Sequence, residues 1–209
     1  MINEREVICR DCLKKLNRTE QAVHRGNNTE ELFTRYAKFI RGAAFLFVSP
    51  ESKELELIHQ MKYSLSANPH IAWRLGRECA AEFMQSDFFD GIDYLIPVPL
   101  HPKRLRERGF NQSEWLCRGI SEITGIPMDT VHLYRARNNE HQARLTGSDR
   151  QKNIKGVFAL RYPEDLYKKH VLLVDDLITT GATLCACMDV LHPIRGCHIS
   201  VLGLGKASG

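Results

Sequence analysis

No stretch of this chain comes near the roughly 20 consecutive apolar residues needed to cross a bilayer as a helix, and the opening MINER is too polar for a secretory signal peptide. Membrane insertion is not expected, and a cytoplasmic location is. A dominant charge is also lacking: a net charge of +4 over 209 residues does not by itself announce a nucleic-acid partner. An even set of cysteines is missing too. Seven cysteines without a secretory signal read as reduced thiols, with Cys185 and Cys187 as small apolar residues inside a helix. A second CxxC is absent, so Cys9 and Cys12 supply only half of a tetrahedral zinc site, with His24 as the candidate third ligand. Nothing in the composition suggests disorder or a second large domain, and the length suits one sizeable core.

What is present is concentrated in VLLVDDLITTGAT, residues 171–183. The run Val171, Leu172, Leu173, Val174 has the pattern of a strand buried on both faces of a parallel sheet. Asp175 and Asp176 follow at its carboxyl end, where open α/β sheets bind ligands. Thr179, Thr180, Gly181, Ala182 and Thr183 then turn into residues 184–191, which have helical spacing. Unpaired N–H groups and the positive end of a helix dipole point into such a turn. Carboxylates accept hydrogen bonds from vicinal ribose hydroxyls, while hydroxyls and amides hold phosphate oxygens. One phosphorylated sugar spans both halves.

Two rival motifs share part of this text. A phosphoacceptor receiver domain opens with a strand ending in paired acids, but more than a hundred residues must follow, and here only residues 184–209 do. A P-loop needs a lysine before its Ser or Thr, and Gly181-Ala182-Thr183 has none. The motif instead closely resembles the phosphoribosyl pyrophosphate signature of type I phosphoribosyltransferases. The segment IPVPLHPKRLRERGFNQSE, residues 96–114, resembles the hallmark of the ComF/GntX (competence protein F-like) branch. So does the later spacing of Arg137, Gln142, Leu145, Arg150, Asn153, Gly156 and Phe158.

The chain reads as α/β, a mostly parallel sheet with helices on both faces. Residues 1–42 are expected to form an N-terminal appendage and 43–209 the phosphoribosyltransferase-like domain. Ser49-Pro50-Glu51 reads as a helix start, with Leu55, Ile58, Met61 and Leu65 as its apolar stripe. A second helix is predicted over 69–84, the first core strand over 93–98, and a helix over 112–124 closed by Gly125 and Pro127. Strands are predicted over 131–135, 156–160, 171–174 and 198–203, all in one sheet. Residues 203–209 read as a strand end and a frayed terminus. The long polar stretch 136–155 corresponds to the flexible hood loop of the fold, carrying Gln142, Arg150 and Asn153.

The resemblance implies transfer of a 5-phosphoribosyl group from phosphoribosyl pyrophosphate to a nucleobase or amine, with inversion at the anomeric carbon. Asp175 and Asp176 are the candidate catalytic and magnesium-holding pair, Thr179 to Thr183 the 5-phosphate loop, and Lys103, Arg104, Arg108, Asn111 and Gln112 the pyrophosphate segment. It also implies an N-terminal zinc module with two CxxC pairs, one of them ahead of Met1. No general base and no acceptor pocket can be read. ComF-like proteins are associated with DNA uptake in natural competence. The alternative is therefore a non-catalytic protein that binds this donor or a nucleotide and contacts single-stranded DNA or the uptake machinery. The oligomeric state is open, a dimer included.

Overall fold

The apolar run at Val171 is the middle of the sheet. In a computed structural model, which describes residues 7–63, 68–136 and 156–207, four parallel strands lie in the order β1-β6-β5-β2. These are β1 (Phe39–Val48), β2 (Tyr94–Pro97), β5 (His170–Ile178) and β6 (His198–Ala207). Alternation along β5 fills two cores. Leu172 and Val174 join one cluster with Leu95 of β2 and Leu202 of β6, while Val171 and Leu173 join another with Ile96 and Ile199. Burial on both faces explains why these strands read as continuous apolar runs.

The first core is covered by α1 (Arg10–Lys14), α2 (Lys53–Tyr63), α3 (Pro69–Phe83) and α5 (Gln112–Thr124). The second is covered by α6 (Ala182–Leu191), a 3-10 turn at Glu30–Phe33 and the hairpin of β3 (Leu133–Arg135) with β4 (Phe158–Leu160). After β2 the chain therefore leaves for one face, and after β5 for the other. A crevice opens at the carboxyl edge between them, the switch point at which such sheets bind ligands.

Several expectations are corrected. β3 and β4 pair antiparallel in a sheet of their own, because the hairpin packs over the second core instead of joining the parallel ladder. β1 was not expected: FIRGAAFLFV lacks period-2 alternation because both of its faces are covered. The boundary expected between residues 42 and 43 falls inside β1, and residues before it share the cores. Leu13 and Leu16 belong to the first and Phe33 to the second. Ser52, not Ser49, caps α2, its hydroxyl accepting from the Leu55 amide at 3.2 Å. β5 runs on to Ile178 because it continues to pair with β6 beyond the end of β2, and β6 runs on to Ala207, paired with Val48 of β1. The basic segment after β2 is a helix, α4 (Pro102–Arg108), closed by Gly109 in the left-handed conformation.

Candidate functional site

β2 ends at Pro97, paired with Val174, so Asp175 and Asp176 are the first residues of β5 to stand clear of a neighbour on that side. The two carboxylates are not equivalent. Asp176 Oδ1 accepts from Lys62 Nζ at 2.7 Å, an ion pair with both side chains about 85% buried (exposures of 14% and 15%). Among the described residues Asp175 has no cation of its own at that range. Its Oδ1 accepts from the Asp176 amide at 2.9 Å. Burial and the neighbouring Asp176 charge push its carboxyl up to about 7, against the opposing pull of Lys62, the Asp176 amide and the Ser113 hydroxyl. The pair is short of positive charge.

Gly181 begins α6 with φ 74°, and no side chain caps the helix. Any Cβ here would meet Phe33 and Leu32 at 3.2–3.3 Å, so the loop sits directly on the 3-10 turn. The other end of α6 is capped: Lys38 Nζ donates to the carbonyls of His192 and Ile194, both at 2.6 Å, and Tyr36 Oη donates to Asp189 at 2.7 Å. Thr179, Thr180 and Thr183 are exposed around the bare end, where the first-turn N–H groups have no intrahelical acceptor. Cys185 and Cys187 are buried in the helix as expected of small apolar residues.

Beyond the end of β2, α4 exposes Lys103 and Arg104, while Arg108 is half-buried with its Nη1 3.4 Å from Gln112 Oε1. Asn111 and Gln112 are committed to architecture. The Asn111 side chain caps α5 through the Ser113 amide and donates to the Val98 carbonyl at 3.1 Å. Gln112 donates to the Met61 carbonyl at 3.2 Å. They tie the end of β2 to the end of α2 and so position Lys62. Gln142, Arg150 and Asn153 lie outside the described residues.

Sequence reasoning missed Lys62 and Arg135. Lys62 follows the last buried residue of the α2 stripe, and nothing in a helical repeat marks which flanking lysine points inward. Arg135 ends β3, where its guanidinium sits 5.6 Å over the Phe158 ring with a buried Nε that has no hydrogen bond among the described residues. Burial and Arg104 lower its proton affinity, while Asp175 and Cys187 oppose them. Arg104 and Asp175 are thus both within its electrostatic reach. A cavity of about 280 Å³ adjoins it, lined by Pro97, Pro99, Leu105, Tyr134, Arg135 and Arg161 among others. At the N-terminus, the Cys9 sulfur accepts from the Cys12 amide at 3.3 Å. Among the described residues no group of three or more His, Cys, Asp or Glu is placed to hold a metal. Among the described residues, no helix is long and apolar enough to cross a membrane.

The phosphoribosyl transferase domain family matches residues 118–204. A "DNA utilization protein YhgH" of Escherichia coli (strain K12) is 33% identical over 138 residues, covering 65% of this chain and 59% of its own length. "Competence protein F" of Haemophilus influenzae is 35% identical over 114 residues, covering 54% and 50%. The chain thus spans between half and three fifths of these relatives. Among solved structures, glutamine phosphoribosylpyrophosphate amidotransferase from B. subtilis aligns with 68% of this chain and 30% of its own at 19% identity, with a TM-score of 0.43. Hypoxanthine phosphoribosyltransferase from Trypanosoma cruzi aligns over 66% and 74% at 14% identity, with a TM-score of 0.41. The family match and the named relatives, joined to the motif at 171–183 and the basic segment at 96–114, support the reading of this chain as a ComF-family, type I phosphoribosyltransferase-like protein.

Proposed function

We propose that the crevice binds phosphoribosyl pyrophosphate with magnesium and transfers its phosphoribosyl group to a nucleobase or amine. The observation that carries this reading is the Asp175–Asp176 pair, held against one ammonium and placed immediately before an uncapped helix start. The carboxylates take the ribose hydroxyls and the 179–183 loop takes the 5-phosphate. Arg104 and Arg135 face the pyrophosphate, whose charge relieves their mutual repulsion. Hard carboxylate oxygens short of positive charge suit magnesium, which prefers oxygen ligands and substrate phosphates to a full protein cage. Asp175 and Asp176 would hold it, and when bound it neutralises charge on the departing pyrophosphate. In the transfer, the bond from the anomeric carbon to pyrophosphate breaks with its electron pair leaving on pyrophosphate, a bond from the acceptor nitrogen forms on the opposite face, and the acceptor's N–H proton passes to water. Asp176 favours the positive charge that develops on the sugar.

Calorimetry with the donor and magnesium tests this. Asp175→Asn/Asp176→Asn is expected to bind at least about a hundredfold more weakly, two charge-assisted contacts being lost. An undiminished signal overturns the assignment. Arg135→Met should weaken binding of magnesium pyrophosphate by about tenfold while leaving ribose 5-phosphate binding within twofold; equal loss of both would remove Arg135 from the pyrophosphate side.

A second reading is favoured by the exposure of Lys103, Arg104 and Arg106 on α4: a non-catalytic donor- or nucleotide-binding accessory in DNA uptake. Under it, no acceptor in a panel of nucleobases and amines releases pyrophosphate. Single-stranded DNA then binds with an affinity that falls steeply with salt and depends on those three residues.

A further inference from the structure

Lys206 is a lysine in an unusual place. It lies near the end of β6 with only 8% of its surface exposed. Among the described residues it makes no hydrogen bond and no ion pair, and only the exposed Glu31 acts on it electrostatically. Its direction follows from its neighbours. A Cβ on Gly205 would meet Val48, Ile58 and Leu177, on the α2 side of the sheet. The next residue, Lys206, therefore faces the α6 side, in register with Ile178, the residue that leads into Thr179. Glu31 belongs to the same 3-10 turn whose Leu32 and Phe33 lie against Gly181. Lys206 thus sits on the α6 side of the sheet, beside the strand residue that leads into the phosphate loop.

That placement is unfavourable in the ligand-free protein. The lysine side chain is largely enclosed, which leaves its ammonium only partly hydrated, and it lies on the side of the sheet that carries α6, whose start is the positive end of a helix dipole. Burial lowers its proton affinity accordingly. At the opposite end of the same helix Lys38 is satisfied by two carbonyls, so the contrast is between a cation with acceptors and one without. The missing partner is an anion that also takes the bare N–H groups of residues 182–184.

We propose that Lys206 binds the 5-phosphate of the ligand, forming with the 179–183 loop a phosphate-monoester subsite separate from the carboxylate pair. This rests on the donor-binding reading above. It predicts that the subsite selects sugars carrying a terminal phosphate and works without magnesium.

Titration of the full-length chain with ribose 5-phosphate in the absence of magnesium tests it, with magnesium pyrophosphate as the control ligand. Lys206→Met should lose about tenfold to a hundredfold in ribose 5-phosphate affinity, the range of a hydrogen bond to a charged group, with pyrophosphate binding changed less than twofold. The variant without ligand should melt higher than the wild type, and its stabilisation by ribose 5-phosphate should largely vanish. Lys206→Arg should recover much of the affinity, and Lys206→Gln repeats the measurement if the Met variant does not fold. Unchanged ribose 5-phosphate affinity in Lys206→Met, whatever its melting temperature, assigns the lysine to structure alone and overturns this proposal but not the donor site. A wild type that binds magnesium pyrophosphate but no ribose 5-phosphate overturns it as well, and failure to bind either ligand overturns both readings.

Discussion

Asp175→Asn is expected to melt above the wild type at pH 8 while losing its affinity for phosphoribosyl pyrophosphate and magnesium. The carboxyl of Asp175 is raised from an ordinary 3.8 to about 7 by burial and by Asp176. Below pH 4 the group is protonated in both folded and unfolded chains, and its contribution is flat. Between about 4 and 7 the folded protein retains a proton that the unfolded chain has released, so stability falls as pH rises through that window. Above 7 the folded protein carries the full penalty of a buried, poorly compensated charge, on the order of 4 kcal/mol. The amide variant has no such charge. Thermal melts from pH 4 to 9 should therefore show the wild type losing roughly 8–16 °C relative to Asp175→Asn. Parallel curves would mean that Asp175 is not the group in tension. Stability gained where binding is lost is the expected signature of a site whose charge is arranged for a cation and a sugar, not for the empty fold.

The parts of this site that were legible in the sequence are those written in consecutive residues. A strand, two acids, a threonine-rich turn and a helix follow one another at 171–191, and local chain direction alone carries the carboxylates to the sheet edge beside the helix start. The basic residues of 103–108 were equally visible, though as a loop; that they form α4 follows from Pro102 at the first helical turn and Gly109 at the C-cap. What was not legible depends on the register of distant segments. Lys62 reaches Asp176 across 114 residues. Arg135 approaches Asp175 only because β3 and β4 form a hairpin apart from the main sheet, and Lys206 sits beside the entry to the phosphate loop only through its alignment with Ile178. Asn111 and Gln112 illustrate the converse. Polar residues beside a basic segment resemble ligand contacts, yet buried amides are first claimed by the backbone groups around them.

Gly119→Val should cost on the order of 4 kcal/mol or more, the largest single-site loss of stability expected here. Helices α3 and α5 cross with their backbones in contact. A Cβ at Gly119 would run into the Trp73 carbonyl and the Arg77 amide, and one at Gly76 into the Leu116 carbonyl. Neither obstacle is the tip of a flexible side chain, so the helices must separate. Separation opens the packing of Leu75, Leu116 and Ile120, all close to fully buried in the first core. At about 2–4 °C per kcal/mol for a chain of this size, the melting temperature should fall by roughly 10 °C or more. The consequence extends to the site because the first turn of α5 carries Gln112 and Ser113, which reach the Met61 carbonyl and Asp175. Displacing α5 therefore moves Lys62 relative to Asp176, and the variant, where still folded, should bind magnesium with phosphoribosyl pyrophosphate more weakly than its remaining folded fraction accounts for. Binding that scales only with the folded fraction would show that α5 supports the sheet without positioning the carboxylates.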